Sequence, residues 1–119
     1  MSATFYPSFR YPDADAAIAW LGETFGFEPG HVYRDDSGRV RHAELWLDGA
    51  AIMLGEGESS GRDVYLAVDD LDALYERARA AGAEIVRELA DTDYGSREFA
   101  ANDPAGLTWY FGTYRPTPA

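Results

Sequence analysis

The strongest constraint on the fold is that its structural punctuation repeats once in register. Asp13 corresponds to Asp70, Gly49 to Gly106 and Gly55 to Gly112, each pair 57 residues apart. Asp13 stands as an N-cap before Ala14, Ile18, Leu21 and Phe25, a spacing of four, three and four that predicts an amphipathic helix ending near Gly26. Asp69 or Asp70 does the same before Leu71, Leu74, Ala78 and Ala81, with the stop at Gly82. A strand candidate precedes each helix, at 5–11 and 63–68, and after each helix the hydrophobic period changes to two. The first half then offers HVYRD, RVRHAELWL, a turn at Asp48-Gly49, and AAIML. The second offers AEIVREL, SREFAA, a turn through Asp103-Pro104-Ala105-Gly106, and LTWYF. Each half therefore reads strand, helix, three strands. The glycine- and serine-rich stretch around 55–61 is too short to free the halves from each other. The expectation is one α+β domain over 1–119, made of two βαβββ modules at 4–56 and 62–114 with curled mixed sheets forming a cleft.

Composition narrows the chemistry. The chain has 119 residues, 46% of them hydrophobic, which suits one domain with a core. No cysteine is present, so thiol chemistry, disulfides and thiolate metal sites are excluded. All ten basic residues are arginine, and without lysine there is no Schiff-base chemistry. A formal net charge of -11 opposes binding to nucleic-acid phosphates and favours cationic ligands. Neither a signal peptide nor a membrane-spanning run is legible, so a soluble, cytoplasmic protein with no membrane partner is expected.

Strand alternation nominates the site residues. In HAELWL, the row Ala43, Leu45 and Leu47 suits the helix side, leaving His42, Glu44 and Trp46 on the opposite face. In DVYLAV, Val64, Leu66 and Val68 form the buried row and leave Asp63 and Tyr65 opposite. In LTWYF, Tyr110 is left opposite Trp109 and Phe111. These opposite faces are too rich in rings for ordinary surface and too polar for ordinary core, which suits the wall of a ligand hollow. Arg10 shares a face with Tyr6 and Ser8, and Arg97 precedes Phe99 on an expected hollow face. Each arginine is either an anion clamp or half of a structural salt bridge. His42 and Glu44, two residues apart, should lie roughly 6–7 Å from each other, too far to bond but close enough to share a ligand. In the loop 91–99, Tyr94-Gly95 can set a ring over the mouth of the hollow.

PDADAAIAWLGETFGFEP and HAELWLDGAAIMLGE resemble the first half, and VYLAVDDLDALYERARAAGAEIVRE with DYGSREFAANDPAGLTWYFG the second half, of the glyoxalase, bleomycin-resistance and extradiol-dioxygenase (vicinal oxygen chelate) superfamily. The resemblance runs from Phe5 to about Tyr114. It implies paired modules around a shared cleft, often completed by a homodimer. In metal-dependent members each module supplies one ligand from its first strand and one from its last. Carried over, those positions fall on Tyr6 and Met53, then on Asp63 and Tyr110. Only Asp63 is a good ligand for a hard or borderline divalent ion. The expectation is thus a metal-free, cofactor-free, non-catalytic protein that binds a small organic ligand, cationic or planar aromatic, as drug-sequestering relatives do. The alternative is a lyase or isomerase acting on a small metabolite through Asp63, His42 or Glu44, with or without a divalent metal.

Overall fold

The structure is a computed structural model that describes residues 6–59, 63–93 and 95–115. The chain divides into two compact units, 1–60 and 61–119. In the first unit, β1 (Ser8–Tyr11) leads to α1 (Ala14–Phe25), then β2 (Glu28–Arg34), β3 (Val40–Leu47) and β4 (Ala50–Glu56). In the second, β5 (Asp63–Ala67) leads to α2 (Leu71–Ala80), then β6 (Glu84–Asp91), β7 (Arg97–Asn102) and β8 (Thr108–Gly112). The repeated strand, helix and three strands are present in both.

The helices begin and end where local chemistry dictates. The Asp13 carboxylate accepts the Ala16 N–H at 3.0 Å, and Asp70 accepts that of Ala73 at 3.2 Å, so each satisfies a donor that the first turn leaves unpaired. Gly26 and Gly82 stop the helices with φ of 89° and 83°, a left-handed conformation that costs glycine little. With 12 and 10 residues, neither helix is long and apolar enough to cross a membrane, and no other described helix is.

Each unit has one four-stranded mixed sheet, ordered β1-β4-β3-β2 and β5-β8-β7-β6. The first pair in each is parallel, because the helix carries the chain back across, and the remaining pairs are antiparallel. One face of the first sheet packs Phe9, Tyr11, Ala43, Leu45, Ile52 and Leu54 with Leu21 and Phe25 of α1. The second packs Phe99, Ala101, Trp109 and Phe111 with Leu74, Tyr75 and Ala78 of α2. Each large apolar side chain so buried contributes roughly 1.5–3 kcal/mol, which is what holds helix to sheet.

Two expectations need correction. The sheets are open and are not strongly curled: each has four short strands and ends in two edges, far from the roughly eight strands that let a sheet close on itself. The second correction concerns phase. Met53 faces Glu44, yet its repeat counterpart Tyr110 faces Ala100, which follows Glu44 by 56 residues and not 57. The two joining loops explain the slip. Asp48 and Gly49, with φ of 49° and 79°, make a two-residue hairpin turn closed by Leu47 and Ala50. In the second unit the strands separate at Asn102 and Thr108, leaving 103–107 as the connection. Shifting a strand by one residue exchanges its faces. Phe99, expected on the open face, is therefore fully buried, stacked on Phe111 at 5.2 Å and edge-on to Tyr75 at 5.1 Å.

Candidate functional site

The face of the first sheet that turns away from α1 is built in rows, because residues paired across strands share a face. One row carries Ser8 on β1, Met53 on β4 and Glu44 on β3. The next carries Ala51 opposite Trp46, with Glu28 beyond it on β2. A hollow of about 180 Å³ opens here, lined by Tyr6, Glu44, Trp46, Ala51 and Met53. Four residues singled out from the sequence thus come together in the first unit. Tyr6 and Trp46 remain half exposed, so their rings are available to an incoming molecule. Gly30 on β2 leaves room for the Trp46 indole: a Cβ there would stand 3.0 Å from Nε1.

His42 joins the site by a route the sequence did not suggest. Its Nε2 lies 2.9 Å from Glu44 Oε2, so the two side chains bond directly although their backbones are two residues apart on one strand. Both side chains are long enough to lean together along the strand, which corrects the expectation that only a shared ligand would link them. Tyr33, paired with His42 across β2 and β3, lies at 5.8 Å from the imidazole, and His31 stacks on Tyr33 at 5.9 Å. Among the described residues Glu44 Oε1 makes no hydrogen bond. One oxygen of a half-buried carboxylate is thus held by an imidazole while the carboxylate borders a ring-lined hollow.

Arg10 projects on this same face and lies across the glycines of β4. A Cβ on Gly55 would fall 2.6 Å from Arg10 Nη1, and one on Gly57 would fall 3.4 Å from Arg10 Cδ. Among the described residues Arg10 has no carboxylate partner.

In the second unit Tyr65 faces Tyr110, and Asp63, exposed at the start of β5, faces Thr108. The Tyr65 hydroxyl donates to the Tyr114 carbonyl at 2.6 Å. Arg97 is on the helix side, where its guanidinium donates to Asp72 at 3.0 Å and to Asp91 at 3.1 Å. These two bonds, that to Asp72 first, push its pKa up and fix it as a structural cation. Tyr94 lies outside the described residues. The sequence reading missed Glu98, which is 7% exposed, faces Gly112 on the open side and has Arg87 at 3.8 Å. A Cβ on Gly112 would meet Tyr65 Oη at 2.6 Å and Glu98 Cγ at 2.8 Å, so this glycine makes room for both. Counting 56 residues from His42 would have found Glu98.

The donor set does not suit the divalent metal that the resemblance implies at four strand positions. Tyr6 and Met53 in the first unit are a phenol and a thioether, and Asp63 in the second has only Tyr110 as counterpart. No group of three or more His, Cys, Asp or Glu able to hold a metal ion occurs among the described residues.

Comparison with known proteins agrees with the architecture. The sequence model of the "Glyoxalase/Bleomycin resistance protein/Dioxygenase superfamily" matches residues 5–111. Uncharacterized proteins of Mycobacterium bovis and Mycobacterium tuberculosis are 32% identical over 122 residues, covering 89% of this chain and 80% and 71% of their own. Among solved structures, TioX from Micromonospora sp. ML1 superposes with a TM-score of 0.85 at 29% identity, covering 96% of this chain and all of that one. A glyoxalase-related enzyme from Clostridium phytofermentans gives a TM-score of 0.81 at 19% identity, over 94% and 95% of the two chains.

Proposed function

Since the chain belongs to the glyoxalase/bleomycin resistance protein/dioxygenase superfamily, we propose that it works on a small organic molecule seated in the hollow of its first unit. The reaction is a proton transfer of the isomerase or lyase kind. The observation that carries this reading is the His42–Glu44 pair at 2.9 Å, with Glu44 on the wall of the hollow. A general base needs one oxygen within reach of the substrate proton and a partner that fixes its direction. Glu44 Oε1 is the oxygen left for that task, and His42 Nε2 holds Oε2. Trp46, Tyr6 and Met53 supply a flat, polarizable wall that orients an apolar body against the carboxylate. In an isomerase the proton that Glu44 takes from carbon returns to a neighbouring atom of the same molecule. In a lyase the electron pair freed at that carbon forms a double bond and expels a group from the adjacent carbon. No step is assigned to a metal, because the residues at the superfamily's ligand positions do not suit one.

Binding without turnover is the second reading, favoured by the same ring-rich, metal-unfit lining. Both are separated by one measurement: exchange of carbon-bound hydrogen in deuterated water, followed by proton NMR, with phenylpyruvate and 2-hydroxyacetophenone as probes. The proton-transfer reading expects exchange above the uncatalysed rate, reduced at least about 100-fold in Glu44→Gln, while Trp46-dependent binding persists. Binding with no exchange in the unaltered protein supports sequestration instead.

A further inference from the structure

We infer that the molecule held in this hollow is an anion, an aryl carboxylate, and that Arg10 is the residue that selects it; the inference rests on the hollow being a ligand site. Two observations lead to it. Arg34, Arg39, Arg87, Arg97 and Arg115 all lie within ion-pair distance of a carboxylate, whereas Arg10, Arg41 and Arg79 do not among the described residues. Of these three Arg79 lies over the Tyr75 ring, and Arg10 is the one that pairing between β1 and β4 places on the open face. Arg10 is nevertheless given a prepared place. It is the cross-strand partner of Gly55, and side chains at Gly55 or Gly57 would collide with or crowd its guanidinium and stem. An arginine that served only solubility would need no such clearance.

Placement sets the ligand's shape. Arg10 stands one row beyond Ser8 and Met53 on the open face, so its Cα is roughly 7 Å from the row that carries Glu44. A ring against Trp46, Tyr6 and Met53 would therefore pass Glu44 and present its far end to the guanidinium. A planar guanidinium with parallel N–H donors matches a carboxylate in two hydrogen bonds. Phosphate offers the same oxygens, but its second negative charge would meet no second cation among the residues that line the hollow. The net charge of -11 acts against any anion at long range, yet beyond about 8 Å it is screened at physiological salt while the contact with Arg10 is not. The site therefore fits a monoanion that approaches closely, and not the cation that overall charge suggests.

The test is calorimetric titration of the whole chain with three probes that share one ring system: 1-naphthylacetate, 1-naphthylacetamide and 1-naphthylmethylamine. The expected order is acid at least tenfold tighter than amide, a difference of about 1.4 kcal/mol, with the amine weakest. Arg10→Gln should bring acid and amide to equal affinity without altering that of the amide. Gly55→Ala, which displaces the guanidinium and keeps its charge, should also narrow the gap; Arg10→Gln alone decides the matter if that variant does not fold. Amide and acid binding equally, in a manner lost in Trp46→Ala, would leave the hollow intact and overturn the role of Arg10. Binding of no probe, with Trp46→Ala indistinguishable, would remove the hollow and the inference together.

Discussion

Asp103 is the residue whose removal should cost the second unit most for its size. It is 5% exposed, and its carboxylate accepts three hydrogen bonds: Ala105 N–H at 2.9 Å and Leu107 N–H at 3.0 Å on Oδ1, and the Trp109 indole N–H at 3.0 Å on Oδ2. Leu107 and Trp109 are buried, so their donors have no ready access to water once the carboxylate is gone. Leaving one buried donor unpaired costs about 1–3 kcal/mol. With two such donors, Asp103→Ala should lose about 3 kcal/mol, allowing for some water entry. Asp103→Asn should lose less, about 1–2 kcal/mol, because its amide oxygen can keep the Oδ1 bonds while its NH2 confronts the indole N–H. Combining Asp103→Asn with Trp109→Phe removes that confrontation but adds a packing loss, so the two substitutions should be non-additive. The assay is urea unfolding followed by far-ultraviolet circular dichroism, comparing midpoints at constant m-value. A loss below about 0.5 kcal/mol for Asp103→Ala would refute the reasoning, since it is what an ordinary surface change costs.

Phe99→Ala should destabilise by about 3–5 kcal/mol as a core truncation, read by the same urea midpoint; a residue on an open wall would show a small fraction of that. Arg34→Gln tests an exposed bidentate pair, in which Asp15 accepts bonds of 2.9 and 2.7 Å from Arg34 and so has its carboxyl pKa lowered, the side-chain hydrogen bond being the largest cause. A lowered folded pKa means that this contribution is complete above the unfolded carboxylate pKa and disappears as pH falls through the folded value. Thermal midpoints of Arg34→Gln and the unaltered protein should therefore differ slightly at pH 7 and converge as the pH falls below the ordinary carboxylate range. A gap that widens on acidification would reverse the assigned sign.

How far the sequence could be read depended on whether a segment carries its own phase. HAELWL alternates apolar and polar strongly, so Ala43 and Leu45 were placed in the core and His42, Glu44 and Trp46 outside it, and the structure agrees. In β7 the run Glu98, Phe99, Ala100 and Ala101 is buried throughout, because small residues are tolerated on either face and Glu98 is covered too. With no alternation to set the phase, the repeat offset was the sole guide. It failed because the Asp103 carboxylate, accepting from Ala105 and Leu107, holds 103–107 as an odd-numbered connection where the first unit has a two-residue turn, so the turn was legible but its length, and with it the phase of β7, was not. Caps and turn glycines were legible since their cause lies within four residues; the partners of Arg10 and Arg97 were not, since each choice depends on distant strands and helices. Arg97 reached Asp72, 25 residues away, while Arg10 came to rest on the backbone of β4.

The one-residue slip also separates the two copies chemically. At the place where the first unit has Glu44 facing Met53, the second has Ala100 facing Tyr110. At the place of His42 it has Glu98, covered and close to Arg87. Tyr65, lying over Gly112, fills space on the face where the first unit lays Arg10 over Gly55. Among the described residues the second face therefore has neither an imidazole-held carboxylate nor an overlying guanidinium. The repeat kept the scaffold twice, but among the described residues the first copy alone places a His42–Glu44 pair, an arginine without a carboxylate partner and half-exposed rings on one sheet face. Substitutions in the second unit should accordingly act through stability, and those at Arg10, Glu44 and Trp46 through the ligand.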